Sequence, residues 1–262
     1  MRKYMALARV ARRTMLAYRG GFIVHVLGAT LALVALFYLW RAIFAASTAL
    51  EGYTWEQMKA YLLVAFLSSM LVAWFGEWRV AEKIMDGEVA GDLVKPLDFQ
   101  RARLAEVVGA VAIELVVSAV AVAVILVAFG SMVMPGGLHA ALFAVSFVAG
   151  LMLKFTVVYA VALVCFWTTG YLGVVWARTA ITNLLSGALI PLAFFPGWLR
   201  GLAQALPFQG IVATPAAIYL EQVDARTAVR LIAVQAAWIV ALWWVGRFMF
   251  SRGVRQVTIH GG

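Results

Sequence analysis

Two ionisable side chains lie deep inside apolar runs, Glu114 and Lys154. Each stands about ten to twelve residues from the basic end of its run, and the two runs are consecutive. A lone charge at mid-membrane costs at least about 2.5–3.5 kcal/mol on insertion scales, so the two are expected to pair at similar depth. Such a pair serves either as a structural lock or as a polar point on a substrate path. A second constellation runs from Glu77 to Asp98, the only sizeable polar stretch between two apolar runs. It carries Glu82, Asp86, Glu88 and Asp92 and closes on Lys95-Pro96-Leu97, a composition suited to touching a soluble partner. Other chemistry finds no support. His25, His139 and His260 are far apart and lack metal-ligand spacing. No Gly-x-x-x-x-Gly-Lys-Ser/Thr loop offers a phosphate cradle, and no His-Glu-x-x-His or Gly-x-Ser-x-Gly motif occurs. Leu185-Ser186-Gly187 lacks a following Gly-Gln and sits in an apolar run, so it is no nucleotide signature. No catalytic residue, metal site or bound cofactor is expected of this chain.

The elements that position these groups follow from composition. Of 262 residues, 65% are hydrophobic and 13% charged, and the mean hydropathy is +0.95. A soluble chain could not hide that much apolar surface, whereas lipid tolerates it. The single cysteine, Cys165, excludes an internal disulfide. No cleavable leader pattern is present, because basic residues recur as far as Arg19 and the next apolar run has span length. A helix needs roughly 20 apolar residues to cross. Six runs near that length predict spans at about 21–45, 57–76, 104–129, 139–166, 178–195 and 228–249. The fold expected is an all-α, polytopic integral membrane protein with a single transmembrane domain over 21–262. The break between the fourth and fifth spans is placed by Thr168-Thr169-Gly170 and Arg178.

Lysine and arginine set the orientation. With the N-terminus in the cytoplasm, the inner side holds the basic residues of 2–19, of 79–103, Arg178, and Arg247, Arg252 and Arg255. The outer side holds only Arg41, Lys59, Arg200, Arg226 and Arg230. Both termini and the 77–103 loop are therefore read as cytoplasmic, and the net charge of +9 reflects this bias rather than nucleic-acid binding. Trp40 and Trp55 would mark the outer interface, and Trp74, Trp78, Trp167, Trp176, Trp243 and Trp244 the inner one. Residues 1–20 are a separate element. At about 100° per residue, Tyr4, Leu7, Ala8, Ala11, Met15 and Tyr18 share one arc, opposite Arg2, Arg9, Arg12 and Arg13. That pattern predicts a basic amphipathic helix along the inner leaflet.

Four of the six prolines fall in 191–215, a segment too apolar for a solvated loop and too broken to cross. Backbone polar groups cannot lie open to lipid, so this segment must pack on protein or dip in and out at the interface. Two short re-entrant helices on the outer side are expected.

Taken together, an elbow helix, two spans, a loop reading Gly87-Glu88-Val89-Ala90-Gly91-Asp92-Leu93-Val94-Lys95-Pro96-Leu97, two more spans, and Leu185-Ser186-Gly187-Ala188-Leu189-Ile190-Pro191-Leu192 with Phe195-Pro196 beyond make a pattern. It resembles the six-span permeases of type-2 ABC exporters, in the branch encoded with a second permease and a separate ATPase. The resemblance covers nearly the whole chain, and Ser-Gly-x-x-x-Pro with the proline-rich segment is its stronger half. It implies a transport subunit of a prokaryotic plasma membrane, half of a pathway completed by itself or a paralogue, above two ATPase subunits that hold ATP and Mg. It further implies that the loop, through Glu82, Met85, Asp86, Gly87, Glu88, Asp92, Leu93, Lys95, Pro96 and Leu97, sits in a groove of the ATPase. The apolar, aromatic pathway suits a lipidic, amphiphilic or drug-like substrate. The alternative from another class is a membrane enzyme acting on lipid or isoprenoid substrates, which needs convergent His, Asp or Glu groups that the sequence lacks. Half of a secondary transporter would show inverted repeats, and residues 1–130 and 131–262 do not match.

Overall fold

A computed structural model describes residues 2–17, 19–72, 76–130, 133–168 and 170–256. It is helical almost throughout: α1 Arg2–Ala17, α2 Arg19–Phe44, α3 Trp55–Met70, α4 Gly76–Met85, α5 Val89–Leu93, α6 Phe99–Phe129, α7 Gly137–Ala162, α8 Tyr171–Leu185, α9 Gly197–Ala205, α10 Ala213–Tyr219 and α11 Ala225–Gly253. Among the described residues, four helical stretches are long and apolar enough to cross a membrane: Gly20–Phe44, Phe99–Val127, Gly137–Phe166 and Ala225–Gln256. They correspond to the first, third, fourth and sixth expected spans. In α7, 61% of the most apolar stretch is buried, against 11–28% in the other three, so α7 is the central post. Helices α11 and α10 pack along it, and α4 leans on its far end.

The second expected span is not one straight crossing. A short hairpin pairs Ala49–Leu50 with Tyr53–Thr54. Its turn residues Glu51 and Gly52 both have positive φ, the geometry a two-residue hairpin demands. This hairpin escaped the sequence reading. Thr54 then caps α3: its side chain accepts from Gln57 N, while the Gln57 side chain accepts from Thr54 N. Only 16 residues long, α3 ends at Met70 rather than at 76. Leu71 is extended, and Val72 turns back with φ 63. The chain re-enters helix at α4. Since Leu71 and Val72 are buried, this broken backbone lies inside protein, where such a break is tolerated.

The fifth span also shifts. Residues 178–195 were expected, but α8 occupies Tyr171–Leu185. Arg178 is buried within the helix and bonds Thr179 Oγ1, so it marks no boundary. The break precedes it, since the preceding helical turn ends at Phe166 and α8 begins at Tyr171. At 15 residues α8 is shorter than the crossing helices. The following proline-rich segment holds two short helices, α9 and α10, joined by 3-10 turns. Pro191, Pro196 and Pro207 each stand at the start of a helical turn, where a missing N–H costs nothing. Ile211, Val212, Ala216 and Ile218 are buried, and α10 rests on α7 and α3, so the segment packs on protein. Trp40, read as an outer-interface anchor, is instead buried against Phe44 and Phe194. Trp176 and Trp244 are exposed, Trp55 and Trp243 half-buried, and Trp167 exposed; Trp74 and the Trp78 side chain lie outside the described residues.

Helix α1 leaves Arg2, Lys3, Arg9, Arg12 and Arg13 exposed. Its apolar arc does not face lipid. Ala11 and Met15 are buried, and α1 packs along α6 so closely that a side chain at Gly109 would strike the Ala8 backbone. Tyr18, the last residue of that arc, lies outside the described residues.

Candidate functional site

Lys154 is 5% exposed and Glu114 1%, and both converge on the broken end of α3. Lys154 Nζ donates to the carbonyls of Ser68 (3.2 Å), Ser69 (2.7 Å) and Leu71 (2.6 Å). Glu114 Oε2 accepts the N–H of Val72 at 2.8 Å. A helix C-terminus leaves its last carbonyls without partners and carries partial negative charge, so an ammonium there satisfies both. A β-branched residue at positive φ costs roughly 1–3 kcal/mol and persists only where its surroundings hold it. At Val72 the Glu114 carboxylate supplies that hold. Both charges thus hold the backbone of 68–72, a role the sequence could not show.

The loop is built from below. Val80, Ala81 and Val89 are buried in a cluster with Phe99, Val107, Phe155 and Tyr159. Gly87, with φ 75, makes the turn between α4 and α5 that a side chain would strain. Asp92 draws three cations together: Lys83 at 3.0 Å, Lys95 at 2.7 Å and Arg103 at 3.2 Å. Arg103 also meets Glu106 at 3.0 Å and lies over the Phe99 ring. Burial alone pushes the Asp92 carboxyl up, but the hydrogen bonds from Lys95 and Lys83 and the Arg103 charge prevail, holding it below its ordinary value. Asp98 caps α6 by accepting from Arg101 N, and its other oxygen meets Arg247 of α11 at 2.8 Å. Its own N–H donates to Tyr4 Oη of α1.

Of the residues singled out from sequence, Glu82, Asp86, Gly87, Glu88, Leu93, Lys95 and Pro96 are exposed, while Met85 and Leu97 are half-buried. The Asp92 side chain is only 8% exposed and is spent on the loop's own ion network. Lys83, Arg103, Arg247 and Tyr4 were missed. Their partners are 9, 11, 149 and 94 residues away, distances no periodicity reports. Val94, 86% exposed, joins Leu93 as an apolar tip. A cavity of about 240 Å³ lies between α2, α3 and α8, lined by Leu33, Leu62, Phe66, Ser69 and Asn183 among others. Among the described residues no three His, Cys, Asp or Glu side chains gather as a metal site would require.

Apolar crossing helices around a central post, with a charge-stapled polar lobe at one end, define a multi-pass membrane protein. The chain belongs to the ABC-2 family of transporter proteins, whose family model matches residues 30–261. It is thus a permease-type transport subunit rather than an enzyme, of a kind that works with an ABC ATPase. No curated protein and no solved structure matches the chain.

Proposed function

We propose that this chain forms half of the translocation pathway of an ATP-driven exporter in a prokaryotic plasma membrane. A second permease, a copy or a paralogue, completes the path above two ATPase subunits that bind ATP and Mg, and this chain binds neither. In this reading the chain crosses six times, with α3 leading into α4 as the second crossing and α8 as the fifth. Both termini and the 77–103 loop face the cytoplasm, and α9 and α10 are re-entrant on the outer side. Helix α1 is an elbow that directs α2 while its exposed arginines meet the inner leaflet.

The observation that carries the reading is the build of the loop. A lobe stapled underneath by Asp92 presents Glu82, Asp86, Glu88, Leu93 and Val94 outward. A rigid acidic-apolar knob is what a groove on a soluble ATPase can grip and push. The push has a mechanical route, since Asp92 holds Arg103 of α6 and the loop's buried residues pack on α7. ATP-driven closure of the ATPases would then move the spans outward. The aromatic interior and the cavity beside α3 suit a lipidic or amphiphilic substrate. The test is Asp86→Lys with Val94→Asp, two exposed changes away from the contacts of Asp92. The expected outcome is loss of the ATPase from the purified complex and loss of transport, with the permease's own melting temperature unchanged. Retention of the ATPase with full transport would refute the docking role.

A further inference from the structure

A cavity of about 260 Å³ opens between the underside of the loop and the ends of α6, α7 and α11. Two of its lining residues carry buried polar atoms without a hydrogen-bond partner among the described residues: Tyr159 Oη and Gln100 Oε1. Tyr159 is 1% exposed and Gln100 3%. A buried polar atom left unsatisfied costs about 1–3 kcal/mol, so an occupant that bonds both is favoured. The wall also decides the occupant's chemistry. Gln100 gives one of its two amide N–H groups to Trp243 O, and Ser251 gives its hydroxyl to Phe248 O. What remains is mostly acceptors: Gln100 Oε1, the free lone pairs of Asp98, and the amphoteric Tyr159 hydroxyl. Phe99 and Phe250, stacked at 4.6 Å, form an aromatic wall beside these acceptors. At the rim Arg247 is 42% exposed along its side chain and keeps donors beyond the one given to Asp98.

We propose that this pocket binds a primary alkylammonium group whose own phosphate rests on Arg247, the chemistry of an aminophospholipid headgroup. The ammonium donates to Gln100 Oε1, Tyr159 Oη and Asp98. The acyl chains follow the exposed Trp244 and Phe248 side of α11. This inference does not depend on transport. A choline headgroup is the built-in control, because it keeps the phosphate and the positive charge but has no N–H to give.

The experiment is native mass spectrometry of the purified full chain extracted from nanodiscs holding equal phosphatidylethanolamine and phosphatidylcholine. Charge-assisted hydrogen bonds are worth enough that the wild type should retain the ethanolamine lipid about tenfold over the choline lipid. Gln100→Leu with Tyr159→Phe should bring the ratio near unity. That variant is expected to fold, since it removes two polar atoms that are unsatisfied without ligand at the cost of one hydrogen bond, from Gln100 to Trp243 O, and its melting temperature in pure phosphatidylcholine checks this. Should it not fold, Arg247→Gln at the exposed rim replaces it and should lower the same ratio. Soluble phosphoethanolamine in a third arm distinguishes sources: competition at micromolar level assigns a free amine, and no competition assigns the lipid. No preference in the wild type, or a preference unchanged in the variants, overturns the site.

Discussion

Lys154 stands where a bound cation would stand at an unwound helix end, with three carbonyls around its ammonium. The bonds it makes change the expected behaviour of the pair. Charges that satisfied only each other could be replaced together at little cost. Here Lys154→Leu leaves three carbonyls, two of them buried, short of a donor, and Glu114→Leu leaves the Val72 N–H without its acceptor. Each single change should lower thermal stability in detergent by about 3–5 kcal/mol. The double change should stay well below wild type, because the same backbone groups are orphaned either way. Fluorescence-monitored melting of the four proteins decides it, and near-complete recovery in the double variant would mean that the broken end of α3 is not what these charges hold. Transport measured on Lys154→Arg, which keeps charge and donors, separates the roles further: a lock tolerates it, while a tight substrate contact does not. The sequence displayed both residues and their depth. It could not display that the broken end of α3 is what they hold, because main-chain groups carry no residue signature.

Among the elements, the loop from α4 to Asp98 is most clearly an assembled object. Its helices are short, and α5 has five residues, far below what holds alone in water. Order comes from the buried Val80, Ala81 and Val89 and from the three cations on Asp92. The pH dependence follows. The folded Asp92 carboxyl lies below its ordinary value of 3.8. Its contribution is therefore complete above that value and is lost as pH falls through the lower folded one. Limited proteolysis of the purified chain should find the loop protected at neutral pH and cut readily only in strong acid. Asp92→Asn should be cut at neutral pH with little further change on acidification. Protection of Asp92→Asn equal to wild type would show that the apolar contacts suffice. The acidic character and the Pro-Leu close of this loop were legible in the sequence. The assignment of Asp92 to the inside and of Glu88 to the outside was not, since both are acidic residues on one short polar stretch.

For the whole molecule, the charge bias and the packing concern different questions. Orientation belongs to the membrane, and the test is labelling. In a Cys165→Ser background, Glu88→Cys on the exposed loop turn and Trp198→Cys on the exposed face of α9 are suitable probes, neither carrying a described hydrogen bond. An impermeant thiol reagent added to intact cells should modify position 198 and spare 88. Labelling of 88 but not 198 would invert the topology.

Composition and run length alone determined that this chain is a helical membrane protein, because no other environment accepts so much apolar surface in runs of crossing length. Among the described residues, four helices long and apolar enough to cross came out where that logic set spans. Motif order pointed to the transporter family that matches residues 30–261. Tertiary structure decided the rest. Where a helix stops inside the protein depends on whether something else satisfies its last carbonyls, and for α3 that is Lys154, 83 to 86 residues along the chain. Whether an apolar arc meets lipid or protein depends on the neighbour: the arc of α1 meets α6 at Gly109. Hydropathy reports that a surface must leave water, and only the packed fold selects what it leaves water for.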